Sequence, residues 1–225
     1  MKKKNGFTMA ETLLTLAIIG VVAAIVLPAL KNTMPNNEMA MFKKAYYNTS
    51  RLVSELINDE DFYPDRETPE ESGFSNVTIA DQTGGDEATF HGRTYFGPEK
   101  FCGLFGAKIN TINEPNCGAR VNLDGNGNFR TPDGVVWSMP VSDWGNDTED
   151  IYVDVNGINK RPNCTRDDIP GIVNCPRGTG PDRFRIIVHR DGRLELVSEI
   201  ARQYVSSTHV NWPYQEYVRR GFVAE

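Results

Sequence analysis

The sequence predicts an α+β protein: a long N-terminal helix, its first half spanning a membrane, packed on a C-terminal antiparallel β-sheet domain. Three observations predict it. Residues 12–30 carry no charge. Residues 38–58 repeat apolar side chains at intervals of three and four. From residue 77 the apolar period falls to two, with Asp-Gly turns and no alternation of strands with helices.

The first element begins behind three lysines, Lys2, Lys3 and Lys4. Of the 24 residues from 7 to 30, 18 are apolar. As a helix they would extend roughly 36 Å, enough for a hydrocarbon core of ~30 Å. The lysines place the N-terminus in the cytoplasm, so the bulk of the chain lies across the membrane. A cleaved secretory signal has a shorter apolar region and a small-x-small site, and Pro28-Ala29-Leu30 is not such a site. A buried core helix would not ordinarily be so long and uncharged at an extreme terminus. A plain membrane anchor accounts for the length but not for Glu11. A charged acid within an apolar span costs up to ~2.5–3.5 kcal/mol at mid-span and less near the interface, so Glu11 calls for a partner.

Residues 38–58 carry Met39, Phe42, Tyr46, Leu52, Val53, Leu56 and Ile57 on one stripe, with Thr49 filling a gap. This predicts an amphipathic helix whose stripe docks the globular domain. It continues the membrane helix after an interruption near residues 32–37, where Pro35 removes an amide donor. Residues 59–76, acidic and rich in Pro, Ser and Gly, read as an exposed loop. Candidate strands are 77–80, 89–96, 119–123, 135–139, 151–155, 184–189 and 193–197. The clearest hairpin turns at Asp191-Gly192, and Asp133-Gly134 gives a second turn signal.

Composition narrows the function. There are 24 Lys+Arg against 30 Asp+Glu, a net charge of −6, so general nucleic-acid binding is not expected. Outside the first span only about 35% of residues are apolar, which implies one modest core with much loop. The four cysteines lie beyond the span, in an exported and oxidising setting where an even count implies disulfides. Of the three possible pairings, Cys102–Cys117 with Cys164–Cys175 is favoured because each closes a local loop. Zinc is the alternative, but no Cys-x-x-Cys pair is present. His91, His189 and His209 sit apart and no nucleophile has a recognisable context, so no enzyme activity and no cofactor is expected. Asp124, Asn126 and Asn128 begin like a calcium loop, but Phe129 and Val135 occupy the positions of its glycine and bidentate acid, so a turn is the better reading. The stretch Trp212–Arg220 is either a contact surface or a packed tail, and packing is the expectation.

The lysine-rich leader, Gly6, Phe7-Thr8 and an acid as the fifth residue from Phe7 together resemble the prepilin signal of type IV pilins and type II secretion pseudopilins. The resemblance implies that prepilin peptidase removes residues 1–6 by cutting after Gly6 and N-methylates Phe7. It implies that residues 7–58 are kept as the long helix, with the span at about 7–30 in inner-membrane lipid, and that residues 59–225 form an exported domain. Gly20 and Pro28 match positions where the family's helix bends or melts. The Glu11 carboxylate would pair with the Phe7 amine of a neighbouring subunit. The implied role is structural: a filament subunit, first in the bacterial inner membrane and then in a periplasmic or extracellular filament, a pilus, a pseudopilus or a DNA-uptake fibre. The alternative is a membrane-anchored binding protein such as a minor pilin or adhesin. An anchored exoenzyme is a third reading.

A weaker resemblance, to the family's C-terminal sheet, runs through Trp137, Ile151–Gly157, Lys160, Pro162-Asn163 and Gly180–Phe184, with residues 164–177 interrupting it. Because some secretion pseudopilins bind calcium in a C-terminal loop, it adds Asp154 and Asp182 as calcium candidates.

Overall fold

The computed structural model describes residues 9–33, 37–63, 73–74, 87–117, 123, 127–139, 144 and 147–207. The chain divides into two units, residues 1–35 and 36–225. The first holds one helix, α1 (Met9–Thr33). Its side chains are described through residue 25, and they are apolar on every face and almost all exposed. The Thr12 and Thr15 hydroxyls donate to the carbonyls of Met9 and Thr12, each at 2.9 Å, so even the polar side chains close their hydrogen bonds inside the helix. Among the described residues no helix is long and apolar enough to cross a membrane. The described side chains of α1 cover roughly 26 Å at ~1.5 Å per residue, short of a ~30 Å core. The predicted span of 7–30 extends past them at both ends, and Pro35 lies among residues 34–36, also outside the described residues.

The second unit opens with α2 (Asn37–Ile57). Its buried residues are Met39, Phe42, Ala45, Thr49, Leu52, Val53 and Leu56, a stripe at the helical period. Ala45 takes the central place expected of Tyr46, which is half-buried at the stripe's edge. Thr49 is tolerated inside because its hydroxyl donates to the Ala45 carbonyl at 2.9 Å.

The stripe faces an antiparallel five-stranded sheet in sequential order: β3 (Phe129–Arg130), β4 (Val136–Ser138), β5 (Thr148–Asp154), β6 (Arg183–His189) and β7 (Leu194–Leu196). β5 and β6 pair over seven residues each, from Thr148 opposite His189 to Asp154 opposite Arg183. Phe184, Ile186 and Val188 alternate along β6 and are fully buried. The β6–β7 hairpin turns at Asp191-Gly192, with Gly192 at φ +81°, a conformation L side chains resist. Phe42 of α2 stacks on Phe184 with ring centroids 3.9 Å apart.

Several expectations need correction. The candidate strand 89–96 is a hairpin, β1 (Ala88–Phe90) with β2 (Arg93–Tyr95), because His91 and Gly92 both adopt positive φ and reverse the chain. Residues 59–76 are not simply an exposed loop: Phe62, Tyr63 and Phe74 are buried. The Phe74 ring lies 4.8 to 5.1 Å from the rings of Tyr63, Phe101 and Trp144. Two helices were not anticipated, α3 (Lys100–Lys108) and α4 (Glu199–Ser206). In α3, Gly106 lies so close to Pro115 that a Cβ would sit 2.5 Å from its ring. α4 starts where the Ser198 hydroxyl accepts from the Ala201 amide at 3.2 Å, and it packs Ile200, Ala201 and Tyr204 inward beside α2. The candidates 77–80, most of 119–123 and the stretch 212–220 lie outside the described residues; Leu123 is in a turn.

The Phe42–Phe184 stack gives the first prediction. Phe42→Ala should destabilise the domain by ~3–5 kcal/mol, the usual cost of emptying a fully buried phenylalanine site. Chemical denaturation followed by near-ultraviolet circular dichroism measures it. A cost under ~1 kcal/mol would mean that α2 docks without this ring.

Candidate functional site

Glu11 stands in the first turn of α1 and is exposed. Gly6 and Phe7 lie outside the described residues. α1 runs unbroken through Gly20 and Pro28, and a Cβ at Gly20 would meet nothing within 4 Å. Leu13, Leu14, Leu16, Ile18, Ile19, Val21 and Val22 are each more than half exposed. In water so continuous an apolar surface is unfavourable, at roughly 25 cal/mol per Å². α1 therefore presents a helix whose apolar surface is suited to lipid or to other helices.

The metal candidates have other duties. Asp124 and Asn126 lie outside the described residues. Asn128 is buried, its amide donating to the Asn116 carbonyl at 2.6 Å and its oxygen accepting from the Met139 amide, so it ties three backbone segments together. Asp154 and Asp182 are both fully buried. Asp154 Oδ1 accepts from the Asn156 and Gly157 amides at 3.2 and 2.7 Å and closes the turn after β5. Its Oδ2 accepts from Arg183 Nε at 3.0 Å. The Asp182 oxygens accept from the Asn163 and Cys164 amides, each at 2.8 Å. These carboxylates therefore anchor the insertion between β5 and β6. Burial, opposed by the hydrogen bond from Arg183 and reinforced by the charge of Asp182, raises the Asp154 carboxyl above its ordinary range. Among the described residues no group of three or more His, Cys, Asp or Glu side chains is placed to hold a metal ion.

Arg183 is the partner that sequence reasoning did not find. It is 2% exposed, faces Asp154 across the β5–β6 ladder, and also donates to the Leu123 carbonyl at 3.2 Å. An available signal was its position just before Phe184, where the inward alternation of β6 begins. A third buried acid, Asp167, accepts from the Arg185 amide at 2.6 Å, and its Oδ1 is buried.

The cysteines form Cys102–Cys117 and Cys164–Cys175, the local pairing among the three. Cys102 belongs to α3 rather than to a loop. The second bridge closes the insertion, where Thr165 also bridges Asn174.

The chain combines an apolar N-terminal helix with an α+β unit that holds two disulfides. Residues 1–27 match the family model described as the prokaryotic N-terminal methylation motif, which is consistent with type IV pilins and pseudopilins. No curated protein and no solved structure matches the chain. The motif supports a processed, pilin-like subunit, and implies handling by prepilin peptidase and association with other pilin subunits.

Asp167 gives the second prediction. Burial lifts its carboxyl above the ordinary 3.8, so the folded chain holds this proton more tightly than the unfolded chain. Its stabilising contribution is complete below about pH 3.8 and is lost as pH rises through the raised folded value. Asp167→Asn cannot lose it. The Tm of the variant relative to the parent should therefore climb from pH 4 towards neutrality. A difference that is flat or falls with pH would show that Asp167 is ionised without penalty in the fold.

Proposed function

We propose that the chain is a structural subunit of a type IV pilus-like or type II secretion pseudopilus filament. Prepilin peptidase cuts between Gly6 and Phe7 and methylates the new amine. Residues 7–30 hold the precursor in the inner membrane, with the N-terminus cytoplasmic and residues 59–225 on the far side. Assembly then moves the apolar helix from lipid into a bundle of like helices. The carrying observation is the methylation motif at residues 1–27, continuous with a helix whose described side chains are apolar all round.

Glu11 gives the bundle its register. Packing of apolar helices is non-directional and tolerates sliding by a turn. A carboxylate paired with a neighbour's Phe7 amine penalises such a slip, because a shifted register strands both charges in a dry environment.

Processing is tested by mass spectrometry of the N-terminus in membrane fractions. The expected product lacks its first six residues and begins at N-methyl-Phe7. An intact Met1 would favour a plain anchor, and cleavage beyond Leu30 a secreted protein.

The role of Glu11 is tested separately. Glu11→Ala should be processed at Gly6 nearly as well as the parent, since the cleavage junction is unchanged, yet be depleted from sheared or pelleted filaments. Glu11→Gln should fall between the two, keeping shape but not charge. Normal incorporation of Glu11→Ala would remove Glu11 from the assembly mechanism.

A further inference from the structure

Between α2 and the loops flanking α3 and β4 lies a recess of about 400 Å³. That is within the range of small-molecule sites, at the size of a sugar ring or two. One wall is the exposed side of α2, where Lys44, Asn48 and Arg51 follow at helical spacing. The opposite wall carries Lys108 and Asn110. Ala45, Ile109 and Val135 supply apolar surface between them.

The polar groups are not equivalent. Lys108 is held by Glu55 at 2.7 Å and by Asp59 at 4.0 Å, with its ammonium about 5 Å from the rings of Phe62 and Phe90. It is a fixture of the fold. Lys44 pairs with Asp133 at 2.8 Å at the rim, and its side chain remains 56% exposed. Arg51 meets Glu55 only at 3.5 Å and is 64% exposed. Exposed pairs of this kind are weak, so both cations can exchange partners for an entering anion at little cost. In a chain of net charge −6, the lining holds three cations and one acid.

Trp137 is the independent observation. It lines the recess, is 1% exposed, and its indole N–H is buried with no hydrogen-bond acceptor. A buried donor without an acceptor is unfavourable, and a ligand that displaced the groups covering it would supply one. Two exchangeable cations call for an anionic group. Two amides and an orphaned indole donor call for several hydroxyl or ether oxygens. The aliphatic patch calls for a C–H face. A carboxylated sugar ring combines all three.

The geometry points to this recess as a binding site for an acidic monosaccharide unit, its carboxylate taken by Lys44 and Arg51 and an oxygen of its ring or hydroxyls accepting from Trp137 Nε1. The unit can come from a free sugar acid or from the end of a polysaccharide. The two share this chemistry.

The test uses the full chain in detergent micelles and follows the Trp137 Nε1–H signal in ¹H–¹⁵N spectra, assigned with Trp137→Phe. Glucuronate should move that signal saturably in the millimolar range or below. Glucose should need at least about tenfold more, because it lacks the charge-assisted bonds. Arg51→Gln should weaken glucuronate about tenfold by isothermal titration calorimetry with Tm unchanged, since its ion pair is exposed. That measurement stands if Trp137→Phe fails to fold. A glucuronate-terminated oligosaccharide binding more tightly than the free acid assigns the site to polymer ends, and the reverse order assigns it to the free sugar. An unmoved indole signal, an equal response to acetate, or an Arg51→Gln variant that binds like the parent overturns the proposal.

Discussion

The second unit depends on one contact, the burial of the α2 stripe against the inner face of β6. Phe42 and Phe184 stack at its centre, and the Tyr204 ring of α4 lies 5.9 Å from Phe184. One helix face and one sheet face thus share a core that neither could bury alone. The domain has few apolar residues to spend elsewhere, so the rest of the chain is organised around this seam. The β5–β6 ladder is its longest strand pairing, and α4 closes it from the side.

A second set of contacts carries α3 into the same core through its lysines. Lys100 is 1% exposed with its ammonium 4.3 Å from the Tyr63 ring. Lys108 spans Glu55 of α2 and the Phe62 and Phe90 rings. The hydrogen bond from Lys108 holds the Glu55 carboxyl below its ordinary value, against the opposing effect of burial. Cations buried this far persist only where carboxylates and aromatic faces replace water. The ends of α3 are therefore fixed electrostatically, and the turn after α2 is fixed by packing against them.

What could be read from the sequence follows from periodicity. The α2 stripe and the β6–β7 hairpin were visible because each repeats its own period over enough residues to exclude the other. α3 was not visible: its nine residues include Gly103 and Gly106, and its apolar residues cluster rather than alternate. Those glycines are there because Tyr95 and Pro115 occupy the space a side chain would need, a tertiary cause no local pattern reports. Asp154 and Asp182 became calcium candidates through the resemblance to pseudopilin C-terminal loops, but here Arg183 and four backbone amides engage their oxygens. The N-terminal motif was legible for the opposite reason. A processing motif is read as linear sequence, so nothing in the tertiary structure can disguise it.

The two disulfides span 15 and 11 residues and neither encloses or crosses the other. A chain that emerges in order of sequence presents Cys102 and Cys117 before Cys164 and Cys175. The first pair can then close before the second pair has emerged. Either exchanged pairing would require closing at least one loop several times longer, at an additional entropic cost of about 1 kcal/mol. Sequential spacing thus favours correct oxidation in the order of synthesis, ahead of the complete sheet.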